Sequence, residues 1–385
     1  MKITFLGPAY PYRGGLAAFN ERLARQLVSE CKDVDIRTFT LQYPRFLFPG
    51  KTQYTEGPAP EGIRIIRELN AVNPFNWIRK GLKLRKERPD ILLVRYWMPF
   101  LAPALGTVSR IARSNRYTAI VAVIDNVVPH EKRPGDSFLT NFFMKSIDGA
   151  VVLSDAVQNE VEEFRNDIPV AVAPHPVFDI YGKKLTRNEA LSHLKLDPEY
   201  SYLLFFGFIR SYKGLDLLLQ AFADKRLREK KIKLIVAGEF YEDDKPYRKI
   251  VKDSGIDEDV VFIDRFINDT EVSAFFSAAD LVVQPYRSAT QSGVTQIAYH
   301  FDKPMIVTDV GGLKETVPHG RCGYVVMPDP GDIASAIADF FENQRKADFS
   351  ENVRKEKERF SWNKVTESIT EVFYKIMLKQ LIKAL

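Results

Sequence analysis

Apolar and β-branched residues come in short runs separated by longer stretches of helical periodicity. In the first part of the chain the runs are KITFLG, VDIRTFTL, GIRIIREL, DILLVRYW, YTAIVAVID and DGAVVLS, with LAAFNERLARQLVSE as the first helical stretch among them. Strands this apolar are covered on both faces, and their alternation with helices predicts βαβ units around a parallel sheet. A second series starts at SYLLFFG and runs through IKLIVAG, DVVFID, DLVVQP, KPMIVTD and GYVVM. Between the two, residues 170–194 pass from strand character into a proline-containing polar link, which sets a boundary at about 178–190. The pattern predicts an α/β protein of two similar domains, 1–180 and 181–360.

The remaining segment, 361–385, places Trp362, Val365, Ile369, Val372, Phe373, Ile376 and Met377 at helical spacing behind a Ser361 cap. Such a helix needs a surface to cover, and either the first domain or the second would serve.

Length agrees with two domains, since 385 residues exceed one ordinary hydrophobic core. Lys and Arg number 55 against 50 Asp and Glu, a net charge of +5 that is too small and too dispersed to imply a nucleic-acid partner. The two cysteines, Cys31 and Cys322, lack metal-ligand spacing and suggest neither a disulfide framework nor a zinc site, which suits a reducing cytoplasm. The opening MKITFLGPAYPYRGG reads as a strand entering a loop and not as a signal peptide. The most apolar stretch, 91–108, is interrupted by Arg95, Pro99 and Pro103, so no transmembrane helix is expected.

Ligands of open parallel sheets bind beyond the carboxyl ends of the strands, so the loops there hold the candidate chemistry. In FFGFIRSYKGLDLLLQAF, residues 205–222, Gly207 permits a close turn and Arg210 and Lys213 stand beside the start of a helix. A helix N-terminus with two added cations suits a diphosphate; two solvated loop cations are the plainer explanation. Gly14 and Gly15 open the first helix, where they would admit a phosphate or sugar oxygen or serve turn geometry alone. Thr290, Gln291, Ser292, Gly293 and Val294 lie where a strand ends and a helix starts, and offer neutral groups suited to sugar or ribose. Helix capping by Ser292 would account for only one of them. Asp125, His130 and His175 follow predicted strands, where a carboxylate or an imidazole can exchange protons or hydrogen bonds with a substrate. The acidic YEDD at 241–244 reads as a solvated helix entry and not as a metal site.

Together RGGLAAFNERLARQL, IDNVVPHE, APHPVFDIYG, FGFIRSYKGLDLLLQAF, LIVAGEF, VVFIDRFINDTEVSAFFSAADLVVQPY and DKPMIVTDVGGLKE resemble the family 4 (group 1) glycosyltransferases over nearly the whole chain. The resemblance implies the GT-B fold: two Rossmann-like domains facing each other across a cleft, with the C-terminal helix crossing back to the N-terminal domain. It implies a retaining, metal-independent transfer without a cofactor, from a nucleotide-sugar donor to a glycan, lipid-linked or small-molecule acceptor, as in cell-surface polysaccharide synthesis. Arg210 and Lys213 would hold the donor diphosphate, Gly14 and Gly15 would form a flexible loop on the acceptor and phosphate side, and His130 and His175 would contact acceptor or sugar. Two departures stand out: the family's paired glutamates fall at Ala289 and Ile297, and its histidine at Asp125. They leave open a nucleotide-sugar or glycan-binding protein with impaired catalysis, and an epimerase of the same fold. The basic run WIRKGLKLRKERPD, 77–90, reads either as a peripheral contact with anionic lipid at the inner membrane face or as a helix packed on the sheet with a solvated outer side.

Overall fold

A computed structural model describes residues 1–44, 52–55, 57–127 and 134–384 of the chain. It divides into two compact units, Met1–Pro176 together with Ser361–Leu385, and Val177–Phe360.

The first unit is built on seven parallel strands: β1 (Lys2–Leu6), β2 (Asp33–Leu41), β3 (Arg64–Asn70), β4 (Ile91–Tyr96), β5 (Ala119–Ile124), β6 (Gly149–Val152) and β7 (Val170–Val172). Their order in the sheet is β3-β2-β1-β4-β5-β6-β7. Every residue of β4 and β5 is buried, as strands sandwiched between helices must be, and the two pair in register from Ile91 opposite Ala119 to Tyr96 opposite Ile124. Toward the β3 edge the chain carries charge inside. Arg37 on β2 is ion-paired to Asp35 at 2.9 Å, Glu68 at 2.7 Å and Glu87 at 2.9 Å, so its burial leaves no charge uncompensated.

The helix Trp362–Ala384 belongs to this first unit and packs on β5, β6, β7 and the helix Gly15–Ser29. Trp362, Val365, Ile369, Val372 and Ile376 are buried, whereas Met377, which shares their sequence pattern, is exposed. Close approach to the sheet depends on Gly149: a Cβ there would lie 2.5 Å from Val372 Cγ1, well inside van der Waals contact.

The second unit has six parallel strands, β8 (Ser201–Phe206), β9 (Ile232–Ala237), β10 (Val260–Ile263), β11 (Leu281–Gln284), β12 (Met305–Thr308) and β13 (Gly323–Val326), in the order β10-β9-β8-β11-β12-β13. Leu203, Phe205, Leu218, Leu234, Val283 and Ile337 lie within one hydrophobic cluster in this unit. In each unit the strand order turns back on itself once, between β1 and β4 in the first and between β8 and β11 in the second. At such a point the connections leave to opposite sides and open a crevice beyond the strand ends. Among the described residues no helix is long and apolar enough to cross a membrane.

Candidate functional site

The crevice at β8 and β11 collects most of the candidate residues. The strand β8 ends at Phe206, and Gly207 follows with φ at 100°, a conformation that disfavours any side chain. Its missing side chain has a use. A Cβ on residue 207 would lie 3.1 Å from the Lys213 ammonium and 3.8 Å from Val294 Cγ2, so that ammonium sits directly over the turn, beside the start of the helix Gly293–His300.

Lys213 closes a single 3₁₀ turn, Ser211–Lys213, which Arg210 precedes in extended conformation. The turn is fixed from β11's side: Arg287 donates two hydrogen bonds to Asp216, at 2.7 and 2.6 Å, and one to the Ser211 carbonyl at 3.0 Å. Each cation also lies over a ring, Arg210 5.4 Å from the Tyr241 centroid and Lys213 5.6 Å from that of Tyr286. Among the described residues no carboxylate pairs with Lys213. Loss of water around its half-buried side chain, with the Arg210 charge second, pushes its pKa down to about 8. The Lys213 ammonium, which has no carboxylate partner among the described residues, thus stands above a glycine turn, an arrangement suited to binding an anion.

The β11 side supplies neutral groups. Ser292 caps the helix, its hydroxyl oxygen accepting from the Val294 N–H at 3.2 Å, with the Tyr286 hydroxyl 3.5 Å away. Thr290 and Ser292 are buried and Gln291 is half-buried. Gly293 opens the helix against Phe178, whose ring would lie 2.9 Å from a Cβ there. Ala289 and Ile297 are both buried, 6% and 4% exposed, and neither could reach a ligand with a charge.

The other candidates lie in the first unit, around its own crevice at β1 and β4. Gly14 is the N-cap of the helix Gly15–Ser29, which has no acidic residue in its first turn, and the space where either glycine would carry a Cβ is open to 4 Å. Asp125, just beyond β5, is held by a partner from the neighbouring strand: the buried Arg95 donates Nε–H at 2.6 Å to one carboxylate oxygen and bonds the other through its Nη2. That grip makes Asp125 a counter-ion before it can act as a base. Arg95 in turn lies 4.0 Å from the centre of the Phe19 ring, which also meets His175 and Trp362 at 5.3 and 5.0 Å. Burial, with a smaller push from Arg95, drives the His175 pKa down to about 4, so the imidazole is neutral at ordinary pH. Its Nδ1 lies 2.9 Å from the Pro176 carbonyl, which fixes Nδ1–H as donor and leaves Nε2 as an acceptor. His130 lies outside the described residues.

Asp125 and His175 thus share a cluster within the first unit, and Arg210 and Lys213 belong to the second unit with 207 and 290–294. Sequence reasoning passed over Tyr286, Arg287, Arg95 and Phe19. Tyr286 and Arg287 adjoin a strand end in a polar loop, a signal that could have drawn attention to them. Arg95, a lone cation in an otherwise apolar strand, was read only as a bar to a membrane-spanning helix. Among the described residues no three His, Cys, Asp or Glu side chains group to hold a metal ion, and the YEDD acids serve their own helix, Asp244 pairing with Arg248 and Asp243 accepting from the Lys245 N–H at 3.2 Å.

Residues 200–343, which include the whole of this second-unit crevice, match the family model described as glycosyl transferases group 1. Over 202 residues the chain is 31% identical to D-inositol 3-phosphate glycosyltransferase 2 of Catenulispora acidiphila, a match covering 50% of this chain and 46% of that one. The chain therefore spans less than half the length of that relative. An uncharacterized glycosyltransferase of Methanocaldococcus jannaschii is 22% identical over 379 residues, 97% of this chain and 98% of its own. Among solved structures, sucrose-phosphate synthase from Thermosynechococcus elongatus aligns with a TM-score of 0.76 at 16% identity, over 98% of this chain and 100% of that one. Anabaena HepE, solved in complex with UDP and glucose, aligns with a TM-score of 0.74 at 17% identity, over 97% and 100%. At these identities the structural likeness is one of fold.

Proposed function

From a chain whose residues 200–343 match the group 1 glycosyltransferases and whose fold is GT-B, we propose a retaining transfer of a sugar from a nucleotide-sugar donor to a glycan, lipid-linked or small-molecule acceptor. The observation that carries this reading is the Lys213 ammonium, without a carboxylate partner among the described residues and seated over Gly207 beside Arg210 and the start of a helix. A nucleoside diphosphate placed there brings its negative charge to fixed positive groups that need no reorganisation. The charge grows as the bond from sugar to diphosphate breaks, so the same groups stabilise the transition state more than the bound donor. The partly dehydrated Lys213 gains most, because an interaction in low dielectric is stronger than in water.

Thr290, Gln291, Ser292, the Gly293 backbone and Val294 would line the donor side, and Gly14 and Gly15 would give a sugar or phosphate oxygen room near the first unit's crevice. His175 would accept a sugar hydroxyl's proton in a hydrogen bond through Nε2, and Asp125 would keep Arg95 and its neighbours in place. One specific observation favours a second reading. Ala289 and Ile297 are apolar and buried, so no carboxylate meets the donor from those positions, which favours a protein that binds nucleotide sugars with impaired turnover.

Incubating the purified protein with a panel of nucleotide sugars, with and without oligosaccharide and lipid-linked acceptors, and resolving the products by mass distinguishes the two. Transfer or donor hydrolysis that falls about 10²–10³-fold in Arg210→Ala and Lys213→Ala supports the first reading. Tight donor binding with no product supports the second, and turnover unaffected by either substitution removes the proposed mechanism.

A further inference from the structure

We propose that the outward face of the helix Pro74–Glu87 is a docking surface for a bilayer containing anionic phospholipid. Three large apolar side chains on this helix are exposed, Phe75 at 84%, Ile78 at 47% and Leu82 at 50%. They recur at i, i+3 and i+7, which puts them in one stripe, and at 100° per residue Arg85 falls on one side of it and Lys86 and Arg79 on the other. Those three cations are exposed, and among the described residues none is ion-paired.

The rest of the helix is committed elsewhere. Gly81 and Leu84 face inward, and a Cβ on Gly81 would lie 2.7 Å from Ile111 Cβ, so this side is packed against the helix Ala102–Arg113. Lys80 and Lys83 both pair with Glu68, at 2.7 and 2.8 Å, and Lys83 also lies 3.8 Å from Glu87. The charges left unpaired are thus those that flank the apolar stripe.

An apolar stripe between two rows of cations matches an interfacial helix, whose side chains enter the acyl boundary while Arg and Lys meet lipid phosphates. The helix Trp362–Ala384 also exposes an apolar row, Tyr374, Leu378, Leu381 and Ile382, but its charges do not identify a partner. Lys375 pairs with Glu371, and Lys379 bonds the Asp167 carbonyl. Charge complementarity therefore singles out the earlier helix, and it stands whether or not the protein transfers sugar.

The test is co-sedimentation of the full chain with vesicles of phosphatidylcholine alone and with vesicles containing roughly 30% phosphatidylglycerol, at low and high salt. The protein is expected to sediment with the anionic vesicles only. Phe75→Ser/Ile78→Ser/Leu82→Ser and Arg79→Gln/Arg85→Gln/Lys86→Gln should each weaken that binding by about tenfold or more, the second variant also losing the salt dependence. Both should keep the melting temperature and the nucleoside diphosphate affinity of the parent protein, since all six residues are exposed and belong to the first unit, whereas β8 and β11 belong to the second. Failure of the parent chain to bind anionic vesicles, equal binding to phosphatidylcholine, or unchanged binding by both variants overturns the proposal. So does a concentration-dependent dimer that the serine variant abolishes without any effect of vesicles, which would assign the face to a second copy of the chain.

Discussion

The affinity of the β8–β11 crevice for a nucleoside diphosphate is expected to fall as pH rises above about 8, and Lys213 is expected to account for the fall. In the unliganded protein dehydration and Arg210 hold the Lys213 pKa at about 8, below the ordinary 10.5. A bound diphosphate supplies the missing counter-charge and returns that pKa toward 10.5 or higher. Below pH 8 the ammonium is already protonated and binding takes up no proton from this group. Between about 8 and 10.5 binding must protonate it, and affinity weakens by up to tenfold per pH unit. From pH 7 to pH 9 the protonated fraction drops from about nine-tenths to about one-tenth, so UDP should bind about tenfold more weakly, a loss of roughly 1.4 kcal/mol. Calorimetric titration at pH 7, 8 and 9 measures this, and Lys213→Arg is the control. Its guanidinium stays charged throughout, while the nucleotide and every other group titrate as before. The parent should lose about ten times more affinity than the variant over that range. Equal slopes in the two proteins would refute the idea that this ammonium meets the diphosphate.

Three further outcomes are expected. Arg95→Ala leaves the Asp125 carboxylate buried without its partner and should cost about 3–5 kcal/mol in urea unfolding, whereas Arg95→Met combined with Asp125→Leu should cost much less; equal losses would show that the pair's charge is not what matters. Gly149→Val drives a side chain into Val372 and should lower stability by about 1–3 kcal/mol or more, read as a fall in melting temperature, with partial recovery in Gly149→Val/Val372→Ala. Arg287→Ala releases the Ser211–Lys213 turn without touching either cation, and should weaken UDP binding severalfold at constant melting temperature; unchanged affinity would mean the turn holds its shape unaided.

The strands of both sheets were legible because burial on both faces leaves an unbroken apolar run, and KITFLG, DILLVRYW and SYLLFFG could be nothing else. Their order in the sheet was not, since it is decided by pairings between distant segments such as β1 with β4 and β8 with β11. The cations of the glycine turn could be found because position after a strand and chemical type are both local properties. Asp125 shows where that method stops. Its carboxylate at a strand end looks reactive until Arg95, thirty residues earlier, arrives from the adjacent strand and claims it. Arg37, with carboxylates drawn from β2, β3 and the helix Pro74–Glu87, was hidden for the same reason. For Tyr286 the loop position was visible, but nothing adjacent to it in the chain indicates that Lys213 lies across its ring. The chain also crosses from one unit to the next at Pro176–Val177, slightly before the composition changes.

The first unit is discontinuous: its closing helix is made only after all of Val177–Phe360. During synthesis the strip of β5–β7 that Val365, Ile369 and Val372 will cover stays wet, so this unit completes itself later than the one that follows it in the gene. A fragment ending at residue 176 would inherit that bare strip permanently. Expressing the first unit by itself therefore calls for residues 361–384 to be grafted on through a short linker, a rearrangement the native chain accomplishes by going out through one unit and coming home to the other.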